Sequence, residues 1–183
     1  MLQHLPKTLG TLLQNVRAGE QKLLIHADEL TAPLSVQVHS SAFKEGEPIP
    51  TKYTADGEGV SPPLRWTAVP SSAECVALII EDADAPIAQP LVHLIAPCLP
   101  LEGELEEGAL SDGIPTGLNS YLVHGYVPPD PPPGHGPHRY AFQLFALSQT
   151  PEKPDLYGRS DLIHWMKGKV LAKGCLTGTY ERC

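Results

Sequence analysis

Six side chains of this 183-residue chain are the main candidates for ligand binding or proton transfer. They are Asp82, Asp84, His93, His135, His138 and Tyr140. The two aspartates follow an apolar run at 75–81, His93 lies inside a second apolar run at 91–96, and the other three surround the start of a third. Side chains at strand ends and within strands are held more rigidly than those at loop tips. We therefore take these six as the candidates for one well-positioned site.

Such a set of carboxylates, imidazoles and a phenol leaves three kinds of chemistry open. It can bind a small anion such as a phosphate monoester, but a carboxylate repels a fully ionised phosphate, so binding requires a shared proton and depends on pH. It can bind a metal through His, His and Asp, although the His135-x-x-His138 spacing is generic. It can also catalyse hydrolysis or group transfer, with His93 or His138 as general base.

No sequence feature nominates a nucleophile, because the chain has no G-x-S-x-G, P-loop or H-E-x-x-H motif. We therefore favour binding over catalysis and assign no catalytic residue, metal ligand or cofactor. A hydrolase or transferase and a metal-binding protein remain the alternatives.

One segment, residues 128–147, must position most of this site. Its sequence is PPDPPPGHGPHRYAFQLFAL. The prolines stiffen the backbone, while Gly134 and Gly136 permit conformations barred to other residues. From Arg139 onward, apolar residues occupy both alternating faces, which is typical of a central strand buried on both sides. The sequence therefore predicts a rigid loop that leads His135 and His138 into the middle of a sheet.

The remaining elements predict one mainly β domain with a helix near each end. Strands are expected at 34–39, 75–81, 91–96 and 175–180. A helix is expected at 6–19, with an apolar stripe of Leu9, Leu12, Leu13 and Val16 docking on the domain or on a second subunit. A second helix is expected at 160–173. We divide the chain into an N-terminal helical extension, 1–30, packed on a β domain, 31–183.

The net charge of the chain argues against two classes of binding partner. With 13 basic and 21 acidic residues the net charge is −8, which opposes non-specific binding to nucleic acids and to anionic membranes. No apolar run approaches the roughly 20 residues of a membrane-spanning helix. The first residues lack the pattern of a secretory signal, so we expect a cytoplasmic protein.

Four segments together resemble the phosphatidylethanolamine-binding protein family, specifically its bacterial and archaeal Raf kinase inhibitor-like branch. They are YTADGEGVSPPLRW at 53–66, the run at 75–86 that ends in DADAP, the strand histidine His93, and PPPGHGPHRYAFQLFAL at 131–147. They occur in the family's order, and the resemblance covers roughly residues 34–180. DADAP alone is a weak signal, but its combination with GHGPHRY is highly specific.

The resemblance implies an antiparallel β-sandwich with peripheral N-terminal and C-terminal helices. It also implies a pocket for phosphate, acetate or a phosphorylated head group, lined by Asp82, His93, His138 and Tyr140. The supporting residues are Asp84, Pro133, Gly134, His135 and Arg139. A role as regulator or inhibitor of other proteins is implied by the resemblance alone, and a protein partner and a homodimer are left open.

Two residues depart from the family pattern. Ala83 stands where the family usually has proline, so we expect a relaxed turn around Asp82. Leu94 stands where tryptophan commonly follows the strand histidine, so we expect one wall of the pocket to be reduced.

Overall fold

A four-stranded antiparallel sheet forms the centre of the molecule, in the order β4-β3-β6-β7. Its strands are β3 (Cys75–Asp82), β4 (Leu91–Leu99), β6 (His138–Leu147) and β7 (Val170–Tyr180). The computed structural model describes residues 6–101, 103–110, 113–153 and 157–182. Every residue of β3 is buried, because both faces of this interior strand are covered.

A smaller antiparallel sheet packs on one face of the central sheet. It contains β1 (Gln37–His39), β2 (Leu64–Thr67) and β5 (Gly103–Leu105), in the order β1-β2-β5. Buried and exposed residues alternate along β2, so Leu64 and Trp66 enter the core beside Phe142. The predicted β-sandwich is thus confirmed, although β1 is shorter than the expected strand at 34–39.

The other face of the central sheet is covered by short helical pieces. Two single-turn 3-10 helices (Leu24–His26, Asp28–Leu30) and α2 (Arg159–Met166) pack there, and a third 3-10 turn (Glu20–Lys22) without buried residues precedes them. The predicted helix at 160–173 is wrong beyond Met166, because β7 already begins at Val170. Pairing of β7 with β6 along the whole strand outweighs the helical spacing of Val170.

The N-terminal helix α1 (Lys7–Leu13) is shorter than the predicted span of 6–19. Its only buried residue is Gly10, whereas Leu12 is 78% exposed. The apolar stripe therefore does not dock as a whole on the domain, and its docking on a second subunit stays a prediction. The helix instead contacts the domain through its glycine, because a Cβ atom there would lie 2.0 Å from the carbonyl oxygen of Pro133.

Strand register brings the predicted site residues to one end of the central sheet. Asp82 is the last residue of β3, pairing with Leu91 of β4 on one side and with Tyr140 of β6 on the other. His138 is the first residue of β6. The sheet therefore gathers side chains that are far apart in the sequence.

Candidate functional site

A cavity of about 230 Å³ lies at this end of the sheet. Asp82, His93 and His138 line it, as does Asp130 of the proline-rich loop. Tyr140 lies directly behind, with its ring centroid 5.3 Å from that of His93 and 6.4 Å from that of His138. The four residues predicted to bind a ligand thus lie together.

Asp82, His138 and His135 form a hydrogen-bonded chain that leads away from the cavity. His138 Nδ1 lies 2.7 Å from Asp82 Oδ2, and its Nε2 lies 2.7 Å from Nδ1 of His135. His135 Nε2 lies 2.8 Å from the carbonyl oxygen of Leu13, at the end of α1. The chain connects the end of β3 to the N-terminal helix.

This chain is complete only when it holds one extra proton. Three hydrogen bonds need three protons, whereas a carboxylate and two neutral imidazoles bring two. Burial, followed by the charge of His138, lowers the pKa of His135 and keeps that ring neutral. With His135 neutral and donating from Nε2, its Nδ1 accepts from His138 Nε2, and the third proton lies in the hydrogen bond between His138 Nδ1 and Asp82 Oδ2.

At Nε2, His93 offers a lone pair and no proton. Its Nδ1 lies 2.8 Å from the carbonyl oxygen of Val127, which can only accept, so Nδ1 carries the proton. Burial lowers the pKa of His93 and leaves the ring neutral, so Nε2 is an acceptor. This Nε2 atom is buried and has no hydrogen-bond partner.

Tyr140 supplies a second unpartnered group beside His93. Its hydroxyl is buried without a hydrogen-bond partner, and burial raises the pKa of Tyr140 well above its usual value. The hydroxyl therefore keeps its proton and can donate. Among the described residues, the only other buried side-chain atom in this condition is Nη2 of Arg182.

Asp84 and Arg139 fix the loops that surround the cavity. Arg139 donates from Nε and Nη2 to the two oxygens of Asp84, at 2.8 Å each, and Arg17 Nη1 lies 3.0 Å from Oδ1. Burial alone would raise the pKa of Asp84, but the hydrogen bonds from Arg139 lower it to about 2. This ion pair ties the DADAP turn to β6 and to the N-terminal segment.

Comparison with known proteins decides the family. The sequence model of a protein family described as phosphatidylethanolamine-binding protein matches residues 39–181. The chain belongs to the phosphatidylethanolamine-binding protein family. It is 39% identical over 153 residues to the UPF0098 protein of Aquifex aeolicus, covering 80% of this chain and 89% of that protein.

Solved structures of the same family have the same fold. A phosphatidylethanolamine-binding protein homologue from Chlamydia trachomatis superposes with a TM-score of 0.75 at 36% identity, covering 81% of this chain and 99% of that one. YbcL of E. coli, described as a member of the mammalian family, has a TM-score of 0.71 at 25% identity, covering 80% and 98%. The predicted family is therefore confirmed, with relatives in bacteria and archaea.

The two departures from the phosphatidylethanolamine-binding protein pattern have different outcomes. The N–H of Ala83 donates to the carbonyl oxygen of Arg139 at 3.0 Å, a bond that proline cannot make. The DADAP turn is therefore held by its backbone, contrary to the relaxation that we expected. Leu94 is buried in the core between the sheets and does not line the cavity.

The supporting residues of the proline-rich loop contact α1. Pro133 approaches Gly10, as described above, and a Cβ atom on Gly134 would lie 2.9 Å from the carbonyl oxygen of Lys7. Gly134 also has a φ of 77°, which favours glycine. These residues position the helix against the cavity.

Several residues around the cavity were not identified from the sequence. Asp130 was visible as a carboxylate in the proline-rich segment, but nothing in its spacing placed it beside Asp82. Tyr121, Leu9 and Leu13 also line the cavity. The sequence placed Leu9 and Leu13 in a docking stripe and not in the site, and nothing in the sequence singled out Tyr121.

Two further classes of site find no support in the part of the chain that is described. No group of three or more His, Cys, Asp or Glu residues there is arranged to hold a metal ion. Nor is any described helix long and apolar enough to cross a membrane.

Proposed function

We propose that this protein binds a small phosphate-bearing ligand, with the phosphate against Asp82, His93, His138 and Tyr140. The observation that carries the proposal is the pair of buried, unpartnered atoms His93 Nε2 and Tyr140 Oη. Leaving a buried polar atom without a partner costs about 1–3 kcal/mol. The two atoms belong to neighbouring rings, of which His93 lines the cavity and Tyr140 lies behind it, and they indicate groups that a ligand completes.

The protonation of these atoms determines the form of the ligand. Because His93 Nε2 accepts, the ligand oxygen that meets it must carry a proton. Tyr140 can donate to a second oxygen of the same phosphate. A fully ionised phosphate has no proton for His93 and is repelled by Asp82, so the bound state contains one proton shared between the ligand and His93.

Titration calorimetry with methyl phosphate at pH 6 and pH 8 tests the proposal. We expect tighter binding at pH 6, because the second pKa of a phosphate monoester is about 6. Tyr140→Phe and His93→Gln should each weaken binding by at least about tenfold. Tyr126→Phe, which removes a hydroxyl that bonds the carbonyl of Tyr53, is the control. Equal affinity in all four proteins would refute the assignment.

A further inference from the structure

The cavity has an apolar half that the phosphate site does not use. Apart from its acidic and histidine side chains and the phenol of Tyr121, its walls include Leu9 and Leu13 of α1, Pro86, Ile87 and Leu91 at the β3–β4 connection, and Pro132. These residues offer no charged or hydrogen-bonding side chain. A ligand group that lies among them must therefore be apolar.

The helix that supplies two of these walls is held firmly in place. Gly10 lies directly on the backbone of Pro133, and the carbonyl of Leu13 accepts from His135. Just beyond the helix, Arg17 donates to the carbonyl oxygen of Pro137 at 2.9 Å. Leu9 and Leu13 thus form a fixed part of the cavity, although α1 lies outside the segment that matches the family model.

The size of the cavity shows that a phosphate alone does not fill it. A volume of about 230 Å³ corresponds to roughly eight water-sized groups at about 30 Å³ each. A phosphate has only four oxygens around its phosphorus. Room therefore remains for a substituent on the phosphate.

We propose that α1 selects this substituent, and that the ligand is a phosphate monoester with a small apolar group lying against Leu9 and Leu13. This inference rests on the proposed function, because the phosphate end occupies the site of His93 and Tyr140. An ammonium on the substituent is disfavoured. An ammonium that lay against Leu9 and Leu13 would lose its hydration without gaining a hydrogen-bond acceptor from them.

The test compares three monoesters by titration calorimetry at pH 6: methyl phosphate, phenyl phosphate and phosphoethanolamine. In the parent protein we expect phenyl phosphate to bind about tenfold or more tightly than methyl phosphate, because its ring is buried. Phosphoethanolamine should gain nothing over methyl phosphate. Equal affinity for the phenyl and methyl esters, or a preference for phosphoethanolamine, would overturn the inference.

Variants of α1 test which residues cause the preference for phenyl phosphate over methyl phosphate. Leu9→Ser combined with Leu13→Ser should lower the affinity for phenyl phosphate much more than that for methyl phosphate, which reduces the phenyl preference to less than about threefold. Gly10→Val, which displaces the helix from Pro133, should also reduce the phenyl preference. The control is Leu12→Ser, on the same helix but exposed and outside the cavity. A loss of preference in this control equal to that in the double variant would contradict the assignment.

The proposed function and this inference fail in different ways. If methyl phosphate does not bind the parent protein, the phosphate site is wrong. The apolar wall is then judged with phenol alone, which must bind the parent protein and not the Leu9→Ser, Leu13→Ser variant. Failure of phenol to bind would refute the wall as well.

Discussion

Two adjacent residues at the end of β3, Glu81 and Asp82, occupy buried polar clusters on opposite faces of the central sheet. Glu81 accepts from Gln143 Nε2 at 2.8 Å, from the backbone N–H of Leu24 at 2.9 Å, and from Arg159 Nε at 2.6 Å. This cluster joins the sheet to a 3-10 helix and to α2. All three of these hydrogen bonds to Glu81 come from groups of the protein itself.

The cluster around Asp82 differs in one respect. Each oxygen of its carboxylate also accepts a hydrogen bond, but the neighbouring His93 and Tyr140 each keep a buried polar atom without a partner. Both clusters occupy strands of the same sheet, and the second borders the cavity described above, which Glu81 does not line. Buried polar residues alone therefore do not indicate a binding site, whereas the unpartnered ones beside a cavity are those that we propose for binding.

The largest expected effect comes from breaking the complete cluster. Glu81→Ala leaves Arg159 and the Leu24 N–H without their acceptor, so we expect the free energy of unfolding to fall by about 3–5 kcal/mol. Urea denaturation measures this loss. Glu104→Ala, on the exposed side of β5, should change stability by less than about 0.5 kcal/mol. A small loss at Glu81 would show that its cluster is not the structural one.

A change in the incomplete cluster should have the opposite sign. Tyr140→Phe removes an unpartnered hydroxyl, so we expect the free energy of unfolding to rise by about 1 kcal/mol while ligand binding weakens. Tyr126→Phe loses a real hydrogen bond and should destabilise by about the same amount. If Tyr140→Phe destabilises the ligand-free protein, its hydroxyl has a partner and the distinction between the clusters fails.

The smallest expected effect is the pH dependence contributed by His93. Its pKa is lowered in the folded protein, whereas the unfolded chain takes up a proton below the usual pKa of about 6.5. Stability contributed by the neutral ring is therefore present above that pH and lost as the pH falls. Urea denaturation at pH 7.5 and 5.5 should show a smaller acid-induced loss in His93→Gln, by up to about 1 kcal/mol. Equal losses would contradict a neutral His93.

Much of this site could be predicted from residue types. The apolar runs of β3 and β6 identify buried strands, and the DADAP and GHGPHRY segments place Asp82 and His138 at their ends. The helix lengths could not be predicted in the same way. Lys167, Lys169 and Val170 fit a helical pattern, but pairing of Val170 with Leu147 places that segment in a strand.

The chemistry of the site depends on backbone atoms that residue types do not reveal. The carbonyl of Val127 fixes the tautomer of His93, and the carbonyl of Leu13 completes the chain through His135. Any residue type supplies such a carbonyl. The sequence therefore indicates which side chains form the pocket, but not which of them remain unpartnered.

Proton uptake on ligand binding tests the shared proton directly. Methyl phosphate is titrated into the protein at pH 8 in buffers with different ionisation enthalpies, so that the heats give the number of protons taken up. We expect about one proton per bound ligand at pH 8, where the free ester is mostly a dianion, and a value that falls toward zero at pH 5. Binding at pH 8 without proton uptake would contradict the acceptor role of His93 and the protonation of the ligand inferred from it.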